Sequence, residues 1–283
     1  MNTNLSRRPH PWRLREGLAI TALVLIAIVA TAGTLAAHDT WLLPASMRVP
    51  VGRAVVLDLT SGVLFPNDDF AIAANRVTRT AVRLGSTQIP LPSPIAGPMS
   101  LRYRWTPATQ GVATIGVELA PKTLTLAPNK IEEYFREINA GPELRKSWSS
   151  LGGKKAWVEL YAKHATTFVR VGTPVGDTSW SIPLGHGLEI IPLRDPTALR
   201  VGDTLRVRVL SKGQPLPAFD VGAIRAGTDN AAFARTDAGG IASIVLGAPG
   251  KLLINGTNLR PSTNPAFVWE SDFVTLTLSI AAR

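Results

Sequence analysis

From His38 to Arg283 the sequence is written in short runs in which apolar and polar residues alternate, each run closed by glycine, proline, asparagine or aspartate. A period of two sends successive side chains to opposite faces of a strand, so a chain of such runs folds as packed sheets. Val77–Leu84 and Leu101–Trp105 alternate in this way, and 112–119 is a further strand rich in β-branched residues. Beyond residue 183 come seven more runs, at 188–193, 204–210, 221–225, 233–236, 241–246, 251–254 and 273–278. Seven short strands broken by regular turns predict an immunoglobulin-like sandwich. Asp237-Ala238-Gly239-Gly240 reads as a hairpin turn between two of them. The 24 glycines and 22 prolines supply the many turns such a fold needs.

One stretch departs from the alternation. Within 127–141 the apolar residues Ile131, Tyr134, Phe135 and Ile138 fall on one helical face, with Asn129 as cap and Glu132 three residues on. Gly141 stands where such a helix ends. A second short helix is expected over about 155–166, before a strand at 167–171. Residues 172–180 read as a linker, so the fold expected is mostly β: two sandwich modules, 38–175 and 183–283, with one or two short helices in the first.

The first 37 residues differ from the rest. Arg7, Arg8, Arg13 and Arg15 precede an apolar run over 18–32 and then small residues up to Ala36 and Ala37. This is the layout of a secretory signal peptide, and it predicts an exported, periplasmic protein; the rival reading is an uncleaved membrane anchor, for which the apolar run is a little short. Removing it lowers the formal charge from +10 to +7. The remaining lysines and arginines are scattered, which argues against nucleic-acid binding. The chain has no cysteine, so any metal must be held by nitrogen and oxygen.

Three stretches carry a family resemblance. Ala37-His38-Asp39-Thr40-Trp41-Leu42-Leu43-Pro44 resembles the opening Ala-His-Asp-aromatic-Trp-Leu of the DUF4198 family, also described as NikM-like and associated with nickel uptake. The run Leu184-Gly185-His186-Gly187-Leu188-Glu189-Ile190-Ile191-Pro192-Leu193 resembles its Gly-His-x-Leu-Glu-Ile-x-Pro stretch. Gly202-Asp203 through Leu216, with Thr236-Asp237, resembles its end module. The resemblance implies a periplasmic protein of β-sandwich modules, in some members linked to nickel or cobalt uptake. One departure stands out: where some members carry a histidine after the second strand, 61–66 here is Ser-Gly-Val-Leu-Phe-Pro.

Three histidines lie beyond the leader: His38, His164 and His186. Cleavage after Ala36 would leave the Ala37 amine, the His38 amide and the His38 imidazole free to grip one ion in a plane, which suits Cu(II) or Ni(II). Cleavage after Ala37 would leave His38 first, a two-point chelate. The metal set expected is therefore Ala37 and His38, with His186 as a further ligand, for nickel, cobalt or copper. The plain alternatives are a solvated N-terminal residue for His38, a structural hydrogen bond for His186 and a surface role for His164. Asp39 and Glu189 read as exposed carboxylates, and Trp41 and Trp105 as core.

No Gly-x-Ser-x-Gly elbow, phosphate loop, dinucleotide fingerprint or two-histidine helical motif is present, so the chain does not read as an enzyme. The function expected is capture of a transition metal for an inner-membrane transporter. The alternatives are a non-catalytic interaction module of the envelope and a copper enzyme with His38 as an N-terminal histidine brace.

Overall fold

Leu252 and Ile254 pack into one hydrophobic core, while Leu253 between them packs against Trp41 and Phe65. A strand that is apolar on both faces belongs to the middle layer of a fold, and here that layer runs through both halves of the chain. The computed structural model describes residues 38–151 and 156–283. The expected leader, 1–37, lies outside the described residues.

The elements follow in chain order. The first half contributes β1 (Asp39–Pro44), β2 (Arg48–Val49), β3 (Val55–Gly62), β4 (Phe70–Ala71), β5 (Val77–Leu84), β6 (Thr87–Ile89), β7 (Ile95–Ala96), β8 (Leu101–Trp105) and β9 (Gly111–Leu126). Two helices, α1 (Ile131–Glu137) and α2 (Pro142–Ser150), lead to β10 (Trp157–Val171). The second half contributes β11 (Leu188–Pro192), β12 (Thr204–Ser211), β13 (Gln214–Pro215), β14 (Asp220–Arg225), β15 (Ala231–Arg235), β16 (Ile241–Val245), β17 (Gly250–Pro261) and β18 (Trp269–Ile280).

The middle layer has the order β15-β14-β17-β18-β10-β9-β5-β6, with β2 also on β10. Its halves join where β18 runs parallel to β10, from Glu159 opposite Trp269 to Thr167 opposite Thr277. One face carries the sheet β1-β3-β8-β7, whose core includes Leu57, Tyr103, Ile115, Val117 and Val169. The opposite face carries β11, β12, β13 and β16, whose core includes Leu188, Val207, Phe219, Ile254 and Leu276. Each core belongs mainly to one half of the sequence. Yet Val112 and Phe168, from the first half, lie in the second core. The protein is thus mostly β, two immunoglobulin-like sandwiches built on one shared sheet, and 38–283 forms one compact unit.

Several local expectations are corrected. The helix expected over 155–166 is strand from Trp157 onward, and the second helix is instead α2. Alternation in β10 was masked because Glu159, Lys163 and His164, all buried, break the apolar pattern. Asn129 sits in a preceding 3₁₀ turn and gives α1 no side-chain cap, and Gly141 starts α2, with Pro142 at its first position. Asp237–Gly240 does turn the chain, but the strands it joins pair elsewhere: β15 with β14 and β16 with β12. The turn therefore crosses between sheets.

Candidate functional site

Strands β9, β10 and β18 carry Glu118, His164 and Asp272 to the face shared with the second core. His164 stands opposite Glu118 in the antiparallel β9–β10 pair and opposite Val274 in the parallel β10–β18 pair. Asp272 lies two residues before Val274 and so shares its face. The His164 Nδ1 is 3.1 Å from Glu118 Oε1, and its Nε2 is 3.0 Å from Asp272 Oδ1. A ring with a carboxylate at each nitrogen donates from both, so it is held as imidazolium. Burial pulls its pKa down, but the hydrogen bonds to Asp272 and Glu118 prevail and push it up to about 9.

The carboxylates have further partners. Burial raises the Glu118 pKa, but the His164 ring and the Gly187 N–H, which donates to Oε1 at 2.9 Å, bring it down to about 2. Arg260 donates to Asp272 Oδ2 at 2.7 Å. Arg79 lies 3.7 Å from Glu118 and donates to the carbonyls of Gly185 and Leu184 at 2.6 and 2.8 Å.

His186 lies over this network on a loop shaped by glycine. Gly185 has φ +85°, in the left-handed region. Gly116 leaves the space that the imidazole fills: a Cβ there would touch His186 Cε1 and lie 2.6 Å from Leu184 Cδ1. The two imidazole centres are 6.3 Å apart. Only 2% of His186 is exposed, and neither of its ring nitrogens has a hydrogen-bond partner. Burial, only partly opposed by Glu118, pulls its pKa down to about 4, so it is neutral at ordinary pH. Glu189, expected in solvent, is buried and accepts from the Leu184 and Gly185 N–H groups at 2.7 and 3.1 Å. It fixes the loop that holds His186.

The opposite face holds the other candidates. The His38 ring stacks on Phe70 at 5.0 Å and 3°, with Nδ1 buried and unpartnered. Burial and then Lys163 lower its pKa. Lys163 donates to the His38 carbonyl at 2.5 Å. Burial brings the Lys163 pKa down to about 8, with Asp39 opposing. Asp39, expected at the surface, has its pKa raised by burial and accepts from Asn255 at 2.7 Å. Trp41 and Trp105 are core, as expected.

Lys163 and His164 are neighbours on β10 and point to opposite faces. Lys163 meets the His38 carbonyl, and His164 lies beside His186, so the shared sheet separates His38 from His186. The structure does not bring the expected set together, and Ala37 lies outside the described residues. Among the described residues no group of three or more histidine or carboxylate side chains is arranged to hold a metal ion. What it assembles instead, Glu118 with His164 and Asp272, was not singled out from the sequence. The available signal lies on β9, where Glu118 is the one charged residue of the run 112–119.

A buried polar cluster drawn from β9, β10, β18 and the loop before β11 defines a class: a double β-sandwich protein whose ionisable groups close the seam between its halves. The family model of the domain of unknown function DUF4198 matches residues 35–257, and the chain belongs to that family. No curated protein matches it in sequence. Among solved structures it is similar to the D0-D1 domain of intimin, at 12% identity and a TM-score of 0.21, over 86% of this chain and 99% of that one. It is similar to the Yersinia pseudotuberculosis adhesin InvE at 12% identity and 0.23, over 85% of this chain and 58% of the other. The four N-terminal immunoglobulin domains of Dscam1 give 14% identity and 0.19, over 87% and 52%. Similarities this low carry no functional argument.

Proposed function

We propose that this DUF4198 protein is exported and works in the bacterial envelope as a non-catalytic interaction module. The observation that carries this reading is the engagement of the charged histidine: His164 is held at both nitrogens by Glu118 and Asp272. A general base or ligand needs a free lone pair facing an accessible space. Surface grooves of about 340, 300 and 270 Å³ exist, and none is lined by His38, Asp39, Glu118, His164, His186 or Asp272. These three grooves lie away from that cluster.

Metal capture for an inner-membrane transporter is the second reading, favoured by the buried, unpartnered Nδ1 of His38. That atom, with the amine of a processed N-terminus, would supply the chelate for nickel, cobalt or copper. The same chelate would serve a copper brace enzyme.

One experiment separates the readings. The full gene is expressed with its own leader, the cells are fractionated, the N-terminus is read by intact mass, and the purified protein is titrated with Ni(II), Co(II) and Cu(II) beside a His38→Ala control. A periplasmic protein whose metal response equals that of the control supports the module. Stoichiometric binding lost in the control replaces it with metal capture, and a cytoplasmic location rejects both.

A further inference from the structure

Most strand edges in this fold are blunted against pairing with another chain. Strands β2, β4, β7 and β13 have two residues each and β6 has three. Pro90 follows β6, while β1 and β11 end in Pro44 and Pro192. Short edges and proline are the usual protections, because an unpaired row of N–H and C=O groups is a template for a further strand. Among the described residues β15 and β16 are the exceptions. Each has five residues without proline, and each pairs on one side only.

These two edges flank a groove of about 300 Å³ at the open end of the second sandwich. Its floor includes Ala223, Ala232, Ile244 and Leu252, Arg225 and Lys251 also line it, and no carboxylate does. The edge strands expose large apolar side chains: Val245, 74% exposed, lines the groove from β16, and Phe233, 44% exposed, lies on the other face of β15 from Ala232. The Thr236 N–H donates inward to Phe219 at 2.9 Å. Alternation then turns the N–H groups of Phe233 and Arg235 away from β14, toward the free side.

We propose that an extended, acidic segment of a partner protein adds as a strand to the free edge of β15. Its carboxylates enter the groove toward Arg225 and Lys251, and its alternate apolar side chains lie on the other face beside Phe233. Main-chain hydrogen bonds supply affinity in such strand addition, and alternate side chains supply selectivity. The cationic, carboxylate-free lining selects an acidic strand over a basic one. The proposal rests on the reading of the protein as an interaction module and names the partner's chemistry and its surface.

The test uses a labelled synthetic peptide of alternating valine and glutamate, with an alternating valine–lysine peptide as control, read by fluorescence anisotropy. The acidic peptide is expected to bind saturably and the basic one not. Phe233→Pro removes an outward N–H and leaves the β14 ladder intact; it should weaken binding by ~10-fold or more, and Phe233→Thr, which keeps that N–H, by less. The double substitution Arg225→Glu with Lys251→Glu should reverse the charge preference, and it decides the matter if Phe233→Pro does not fold. Absence of saturable binding, equal binding of both peptides, or indifference to Phe233→Pro and to charge reversal overturns the proposal. So does a concentration-dependent dimer abolished by Phe233→Pro, which would assign the edge to a second copy. Failure here with a silent metal titration leaves the module reading standing. Metal binding lost in His38→Ala removes that reading whatever the peptide does.

Discussion

The imidazoles of His164 and His186 lie 6.3 Å apart, yet their pKa values are displaced in opposite directions, to about 9 and about 4. Both are buried. The difference is that His164 has a carboxylate at each nitrogen and His186 has no partner at either. One charged and one neutral ring therefore sit in the same seam.

Removing the charged ring should be severe. His164→Ala removes the charge between Glu118 and Asp272 and leaves them only the half-exposed Arg79 and Arg260, so the loss should approach the ~3–5 kcal/mol of a broken buried ion pair. Adding Asp272→Asn to His164→Ala should recover part of it. Urea denaturation of the three proteins measures both effects, and additive losses would refute the pairing.

The seam also sets a pH dependence. The folded pKa of His164, about 9, lies above the ordinary 6.5, so its stabilisation is complete below about pH 6.5 and is lost as pH rises through 9. His186 acts oppositely: depressed to about 4, it destabilises the fold as pH falls from 6.5 toward 4. The two together place the seam's best stability near pH 6.5. Lys163, depressed to about 8, also titrates in the alkaline range. The diagnostic is therefore the difference between the protein and its His164→Ala variant, with urea midpoints taken from pH 5 to 10. That difference should shrink between pH 6.5 and 9.

Gly116 tests the seat of His186. An alanine Cβ would press on His186 Cε1 and lie 2.6 Å from Leu184 Cδ1, so Gly116→Ala should cost ~1–3 kcal/mol. Combining it with His186→Ala should relieve part of that cost in a double-mutant cycle. A coupling energy of zero would mean that the ring does not rest on β9.

Glu159 tests how α1 is anchored. This fully buried carboxyl accepts from Tyr134 Oη at 2.8 Å, from Trp157 Nε1 at 2.9 Å and from the Ser271 hydroxyl. Burial raises its pKa against those three donors. Glu159→Leu strands three buried donors and should cost ~2–4 kcal/mol, whereas Glu159→Gln, which keeps acceptor capacity, should cost less. Near-ultraviolet circular dichroism of the clustered tryptophans, with thermal melts, distinguishes them.

The shared sheet predicts joint unfolding. Because β18 pairs with both β17 and β10, excising residues 183–283 turns an inner strand into a bare edge. Tryptophan fluorescence and far-ultraviolet circular dichroism should report one coincident urea transition for the whole protein. The excised piece should aggregate or fail to fold cooperatively. Two separate transitions would show that the sandwiches are independent.

The strands were legible because their signal is local. Val77–Leu84 and Leu101–Trp105 alternate in the sequence as they do in the sheet, and the runs between 188 and 278 each fall on a strand. Misreadings fell where charge is buried. Lys163, His164 and Glu159 made β10 look partly helical, and Glu189 was placed in solvent, because a sequence does not show which counter-charge or N–H group will meet a side chain. The partners of His164 come from positions 118 and 272, far apart in the chain.

The sequence by itself determined the class of fold, since a period of two and frequent turn residues admit little but packed sheets. It also marked the family through the stretches around His38 and His186. Only the tertiary structure decided that β18 runs beside β10, fusing the sandwiches through one sheet, and that consecutive residues of β10 send Lys163 and His164 to opposite sides. The physical reason is that strand pairing and face assignment depend on contacts more than a hundred residues apart. Alternation fixes that two faces exist, and packing alone fixes what each face meets.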